Sequence, residues 1–139
     1  MPVTLELFFS SNQMSSKPNI YIAVVDDDES VRRSFSRLLR AAHFQPIAYE
    51  SAEAFLADRN QPKFGCLVLD IQLDGMSGVE LKERLSIRND DTPVVFITAY
   101  DDPAVCEQAE ESGCVGFFRK TDSGSDVLST IRRVTGMEG

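Results

Sequence analysis

Five short apolar runs, each followed by residues at helical spacing, constrain this 139-residue sequence more than any other feature. Ile20 to Val25 is nearly continuous in apolar character and ends in acid, the pattern of a parallel strand buried on both faces. Val31, Phe35, Leu38 and Leu39 then recur with a helical period, and Asp27 or Asp28 offers an N-cap. Gln45 to Tyr49 reads as a second strand, and Ser51 caps a helix that buries Phe55 and Leu56. Cys66 to Leu69 is the third apolar run, again ending in acid at Asp70. Ser77 and Glu80 form an S-x-x-E capping box for a helix carrying Leu81 and Leu85. Pro93 to Ile97 is the fourth strand, and Asp102 with Pro103 starts a helix through Glu111. Val115 to Phe118 is the fifth strand, and Val127, Leu128, Ile131 and Val134 line a last helix.

Strands and helices that alternate with short connections predict an α/β fold: an open, doubly wound sheet of five parallel strands with helices on both faces. In such sheets the functional cleft lies beyond the carboxyl ends of the strands. The informative residues are then Asp26, Asp27 and Asp28 after the first strand, Asp70 after the third, Thr98 after the fourth and Lys120 after the fifth. Residues 20–135 make the domain. The polar stretch ahead of it sets residues 1–19 apart as a mobile extension, with Met14 as an alternative natural start, and 136–139 is a tail.

Composition excludes several classes. With 14 basic and 22 acidic residues the net charge is -8, which repels phosphate backbones and anionic membrane surfaces. No direct nucleic-acid or membrane binding is expected. Cys66, Cys106 and Cys114 are too sparse for a disulfide framework and read as packing thiols. His43 is the single histidine, so zinc chemistry and a Ser-His-Asp triad are disfavoured. It reads as a helix-end residue. The opening residues lack a basic stretch, and Glu6 interrupts their apolar run, so a secretory signal is not expected and the chain is placed in the cytoplasm.

Carboxylates gathered at one rim of a sheet raise one another's pKa or recruit a cation. Oxygen-only ligands suit a hard ion such as Mg²⁺. Lys120 adds a positive charge and Thr98 a hydroxyl. This set fits phosphoryl transfer onto a carboxylate, where catalysis is mainly positioning and charge neutralisation. Asp28 reads as an N-cap rather than a third ligand.

VVDDDESVR, LVLDIQLDGMSG, VVFITAY and GFFRK together resemble the ordered signature of response-regulator receiver domains of two-component signalling. The resemblance implies a flavodoxin-like strand order 2-1-3-4-5 and a signalling switch rather than an enzyme. It implies phosphorylation of Asp70 by a histidine kinase or phosphotransfer protein. Mg²⁺ would be held by Asp27, Asp70 and the backbone carbonyl of Gln72, with Asp26 acting through water. Thr98 and Lys120 would hold phosphoryl oxygens, and Thr98 and Phe117 would form the switch. Gln72 and Tyr100 would tune dephosphorylation. The outlet would be a downstream protein or effector domain, reached through the face of the fourth helix, fifth strand and fifth helix, with a phosphorylation-dependent dimer as one form.

Two departures stand out. Asp74 and Thr121 occupy positions where the family usually has proline. A cis bond before Thr121 would cost ~3–4 kcal/mol, so a trans bond and a looser link after Lys120 are expected. Rival readings are a degenerate receiver acting by contact alone, a haloacid-dehalogenase-type phosphatase and a flavin carrier. The phosphatase needs a second acid where Gln72 stands, and three aspartates would repel the flavin phosphate. Only TGMEG follows Val134, so a stand-alone receiver and a piece of a longer regulator both remain open.

Overall fold

A computed structural model describes residues 19–99 and 102–137. Strands β1 (Tyr21–Val25), β2 (Gln45–Tyr49), β3 (Phe64–Asp70), β4 (Val94–Thr98) and β5 (Gly116–Arg119) alternate with helices α1 (Glu29–Ala41), α2 (Ala52–Ala57), α3 (Gly78–Ile87), α4 (Pro103–Glu111) and α5 (Gly124–Thr135). The strands form one sheet in the order β2-β1-β3-β4-β5, and every pairing is parallel. This is the order that places ligands where the chain reverses direction across the sheet, between β1 and β3.

Alternation along each strand splits the core in two. Ala23, Val25, Leu67, Leu69, Val94 and Phe96 face α2, α3 and α4, joined by Phe55, Leu81 and Ala109. Ile22, Val24, Cys66, Val68, Val95 and Ile97 face the other way, against Leu39 of α1 and Val127, Leu128 and Ile131 of α5. Each fully buried aliphatic side chain contributes about 1.5–3 kcal/mol of transfer free energy. β1, β3 and β4 therefore lie between two apolar layers, which explains their unbroken apolar runs.

The helix starts follow the expected chemistry. Asp28, Ser51, Ser77, Asp102 and Ser123 are N-caps whose side chains each accept a hydrogen bond from a backbone N–H in the first turn. Asp28 thus takes the cap, and Asp27 is left for the cleft. His43 ends the α1 connection in a left-handed conformation, φ 73°. Strand edges move by a residue or two. β3 starts at Phe64, pairing with Tyr21 across a register shift between Tyr21 and Ile22. β5 runs one residue later than its apolar pattern, through Arg119, which pairs with Thr98.

Candidate functional site

The carboxyl ends of β1, β3 and β5 bring three carboxylates and one ammonium together. Asp26 follows β1 directly, and its main chain is tied down twice: its N–H donates to the Tyr49 carbonyl at 3.2 Å, and its carbonyl accepts from Arg32 Nη1 at 2.8 Å. Its side chain is buried, with Oδ1 accepting from the Asp28 N–H at 2.9 Å. Asp70 ends β3, is 4% exposed, and takes the Gln72 N–H on Oδ1 at 3.0 Å. Asp27, between Asp26 and the cap Asp28, is exposed.

Lys120 sits just beyond β5 because its N–H donates to the Thr98 carbonyl at 2.8 Å, continuing the ladder one step past the strand. Its Nζ lies 2.9 Å from Asp26 Oδ2 and 3.0 Å from Asp70 Oδ2. One cation therefore bridges two buried anions. The Lys120–Thr121 bond is trans, as expected. Beyond it the chain makes a hydrogen-bonded turn: the Arg119 N–H donates to Asp122 Oδ2 at 2.8 Å, and the Asp122 N–H donates to the Arg119 carbonyl at 2.9 Å. Asp122 closes this turn from both its side chain and its backbone.

The electrostatics follow from burial and crowding. Burial, then the Asp26 charge, push the Asp70 carboxyl from the ordinary 3.8 up to about 6, against the pull of Lys120 and the Gln72 amide. Burial works against the Lys120 charge, yet its hydrogen bonds to Asp26 and Asp70 outweigh that and lift it above its ordinary value. One oxygen each from Asp26, Asp27 and Asp70 lies within 4.8 Å of the others. An all-oxygen set with an exposed member fits a hard divalent cation that keeps part of its water shell.

Thr98 ends β4 and is fully buried, next to the rim. Phe117 is half-buried on β5, opposite Phe96, and packs into the layer that contains α4, while Phe118 packs into the opposite layer. Gln72 is exposed, and its backbone lies against Asp70 through the amide bond already described. Tyr100 lies outside the described residues. The backbone ties from Arg32 and from Tyr49 were not foreseen. Neither residue is marked in the sequence, because the contacts join an arginine on α1 and a strand-end carbonyl on β2 to a main-chain atom.

Residues 22–132 match the model of the response regulator receiver domain family. The chain belongs to that family. The receiver is similar to the response regulator protein TmoT of Ectopseudomonas mendocina, at 34% identity over 111 residues, covering 80% of this chain and 50% of TmoT. The solved structure of the response regulator StyR is 38% identical with a TM-score of 0.77, over 86% of this chain and 60% of that one. The crystal structure of FixJ-N is 31% identical with a TM-score of 0.78, over 88% and 98%. The chain spans about half the length of the curated relatives it matches. Among the described residues no helix is long and apolar enough to cross a membrane.

Proposed function

We propose that this receiver takes a phosphoryl group onto Asp70 from a phosphohistidine of a kinase or phosphotransfer protein. One observation carries the reading: Lys120 Nζ, held between Asp26 and Asp70 at one rim of the sheet, with the exposed Asp27 within reach. An Asp70 oxygen attacks phosphorus, the phosphorus–nitrogen bond breaks, and the electron pair returns to the imidazole ring. The product is an acyl phosphate. Lys120 neutralises a phosphoryl oxygen, and the buried Thr98 hydroxyl supplies a donor to another. The Arg32 and Tyr49 bonds keep the Asp26–Asp27 backbone in place while charge moves. Asp27, Asp70 and the Gln72 carbonyl would hold Mg²⁺, with Asp26 reaching it through water. When bound, the ion supplies charge neutralisation on the transferred oxygens.

Thr98 and Phe117 form the switch in this reading. The hydroxyl turns toward the phosphoryl group and the half-buried ring moves inward, changing the face of α4, β5 and α5. The output is a downstream protein or effector domain, with dimerisation of the phosphorylated form as one route. A relative of 34% identity, FixJ of Bradyrhizobium diazoefficiens, is a transcriptional regulatory protein, which supports gene control as the destination. The receiver acts in the cytoplasm and is a switch rather than an enzyme of external substrates. Gln72 and Tyr100 set how fast water removes the phosphoryl group.

Incubation with acetyl phosphate and Mg²⁺, followed by intact mass, tests this. Wild type gains one phosphoryl group, and Asp70→Ala gains none. A wild-type protein that stays unmodified under these conditions would return the reading to a contact-only receiver.

A further inference from the structure

The acceptor loop between β3 and α3 is held from outside by a residue the acidic rim does not contain. Residues 71–77 are fixed at both ends. The Gln72 N–H donates to Asp70, and the Gly78 N–H donates to the Ile71 carbonyl at 3.0 Å, closing the base of the loop. The side chains of Ile71, Leu73 and Met76 are buried in the layer under α2 and α3. The tip at Asp74 and Gly75 is exposed. There the Glu53 carboxylate, from α2, accepts the Met76 N–H on Oε2 at 3.0 Å.

Three features make this contact specific. Gly75 has φ +79°, a conformation that favours glycine, and a Cβ built there would stand 2.6 Å from Glu53 Oε2, so a larger residue would push the carboxylate aside. Glu53 itself is well placed: Ser51 Oγ caps α2 by accepting the Ala54 N–H at 2.9 Å, and Ala52 and Phe55 on either side of Glu53 are buried. The Met76 amide bond also lowers the Glu53 carboxyl pKa from its ordinary value, as expected of a hydrogen bond made to the charged form.

We propose that Glu53 is a positioning residue for the acceptor site, a clamp from α2 that fixes the loop carrying the Gln72 carbonyl against Asp70. The inference rests on the reading of Asp70 and Gln72 as the Mg²⁺ and phosphoryl site. A metal ligand on a loop is only as well aimed as the loop, and losing a partner that orients a ligand typically weakens metal binding about 10–100-fold. Glu53 is not one of the three carboxylates that gather at the rim. Its effect is to lower the freedom of the backbone that does.

The test uses the full chain as wild type, Glu53→Gln and Glu53→Ala, with three readouts. They are Mg²⁺ affinity by calorimetry, the rate of Asp70 phosphorylation by acetyl phosphate across a Mg²⁺ series, and hydrogen exchange at the Met76 amide. The Gln side chain keeps an acceptor oxygen at the same reach. Glu53→Ala is expected to weaken Mg²⁺ binding about tenfold or more, to lose protection at Met76, and to recover its phosphorylation rate at saturating Mg²⁺. Glu53→Gln is expected to stay within about threefold of wild type in all three, as an amide acceptor replaces a charged one. Equal Mg²⁺ affinity for wild type and Glu53→Ala, in a protein that is phosphorylated on Asp70, overturns the clamp alone. So does a Gln variant as impaired as the Ala variant. A wild-type chain that binds no Mg²⁺ and takes no phosphoryl group overturns the site reading and the clamp with it.

Discussion

Asp26 and Asp70 share a single ammonium group, each within 3.0 Å of Lys120 Nζ, so the buried rim carries one positive charge against two negative ones. Burial first, and then that excess of negative charge, raise the Asp70 carboxyl to about 6 from an ordinary 3.8. The sign of the linkage follows. An acid whose folded pKa is raised favours the fold while protonated, and that contribution disappears as pH rises from about 4 to about 6. Asp70→Asn, which cannot ionise, is therefore expected to match wild type near pH 4 and to exceed it above pH 6. About two pKa units correspond to roughly 3 kcal/mol at most. Urea melts of both proteins in EDTA from pH 4 to 8 measure this, and a constant difference across the range would refute it. Lys120→Met removes the shared cation instead. In EDTA at neutral pH it is expected to cost ~2–3 kcal/mol. That is less than the ~3–5 kcal/mol typical of breaking a fully buried pair, because the lysine is one-fifth exposed and partly screened. The loss should shrink at pH 5, below the Asp70 pKa of about 6, where that carboxyl is mostly protonated. The same melts read this, and an equal loss at both pH values would contradict the sharing of one charge.

Elements carry these residues, and the joint between β3 and α3 shows how closely. Gly78 is the first residue of α3, and a Cβ there would run into the Asp70 carbonyl oxygen. Alanine is the better helix former by about 1 kcal/mol, yet the crowding should win. Gly78→Ala is expected to lower stability by about 1–3 kcal/mol and to displace the end of β3 that carries Asp70. Thermal melts and the acetyl phosphate rate check it, and a more stable, fully active variant would show that the joint is slack. That glycine was unmarked in the sequence, as was Glu53. Both matter through contacts between segments that are distant in the chain or merely adjacent around a turn, and neither breaks a local pattern. By contrast the acidic triplet, Asp70, Thr98 and Lys120 were legible because each ends or follows an apolar run, and a doubly wound sheet sends all such ends to one rim. The caps were legible for a similar reason: Ser51, Ser77 and Asp102 satisfy first-turn amides by local chemistry alone. The start of β3 was not. Phe64 and Gly65 belong to the strand because β1 bends its register to meet them, which is a tertiary fact.

At the scale of the whole molecule, two apolar layers share one sheet, so neither can open without exposing the other side of β1, β3 and β4. Unfolding is then expected to be a single cooperative transition. The acidic rim lies at the end of that shared sheet and exists only when β1, β3 and β5 are aligned. A cation bound there must stabilise the entire domain rather than one loop. With affinity for the folded state alone, each tenfold rise in Mg²⁺ above Kd should add about 1.4 kcal/mol to the unfolding free energy, with an unchanged dependence on urea. Net charge complicates the reading, since a chain at -8 gains some stability from any salt that screens its self-repulsion. Asp27→Asn separates the two effects. Asp27 is exposed, so its loss leaves the metal-free fold nearly as stable while removing a candidate ligand. Urea melts over a Mg²⁺ series at constant ionic strength should therefore show the full slope for wild type and a displaced onset, at higher Mg²⁺, for Asp27→Asn. If the two proteins respond alike, the ion is acting on the surface as a whole, and the rim has no special hold on it.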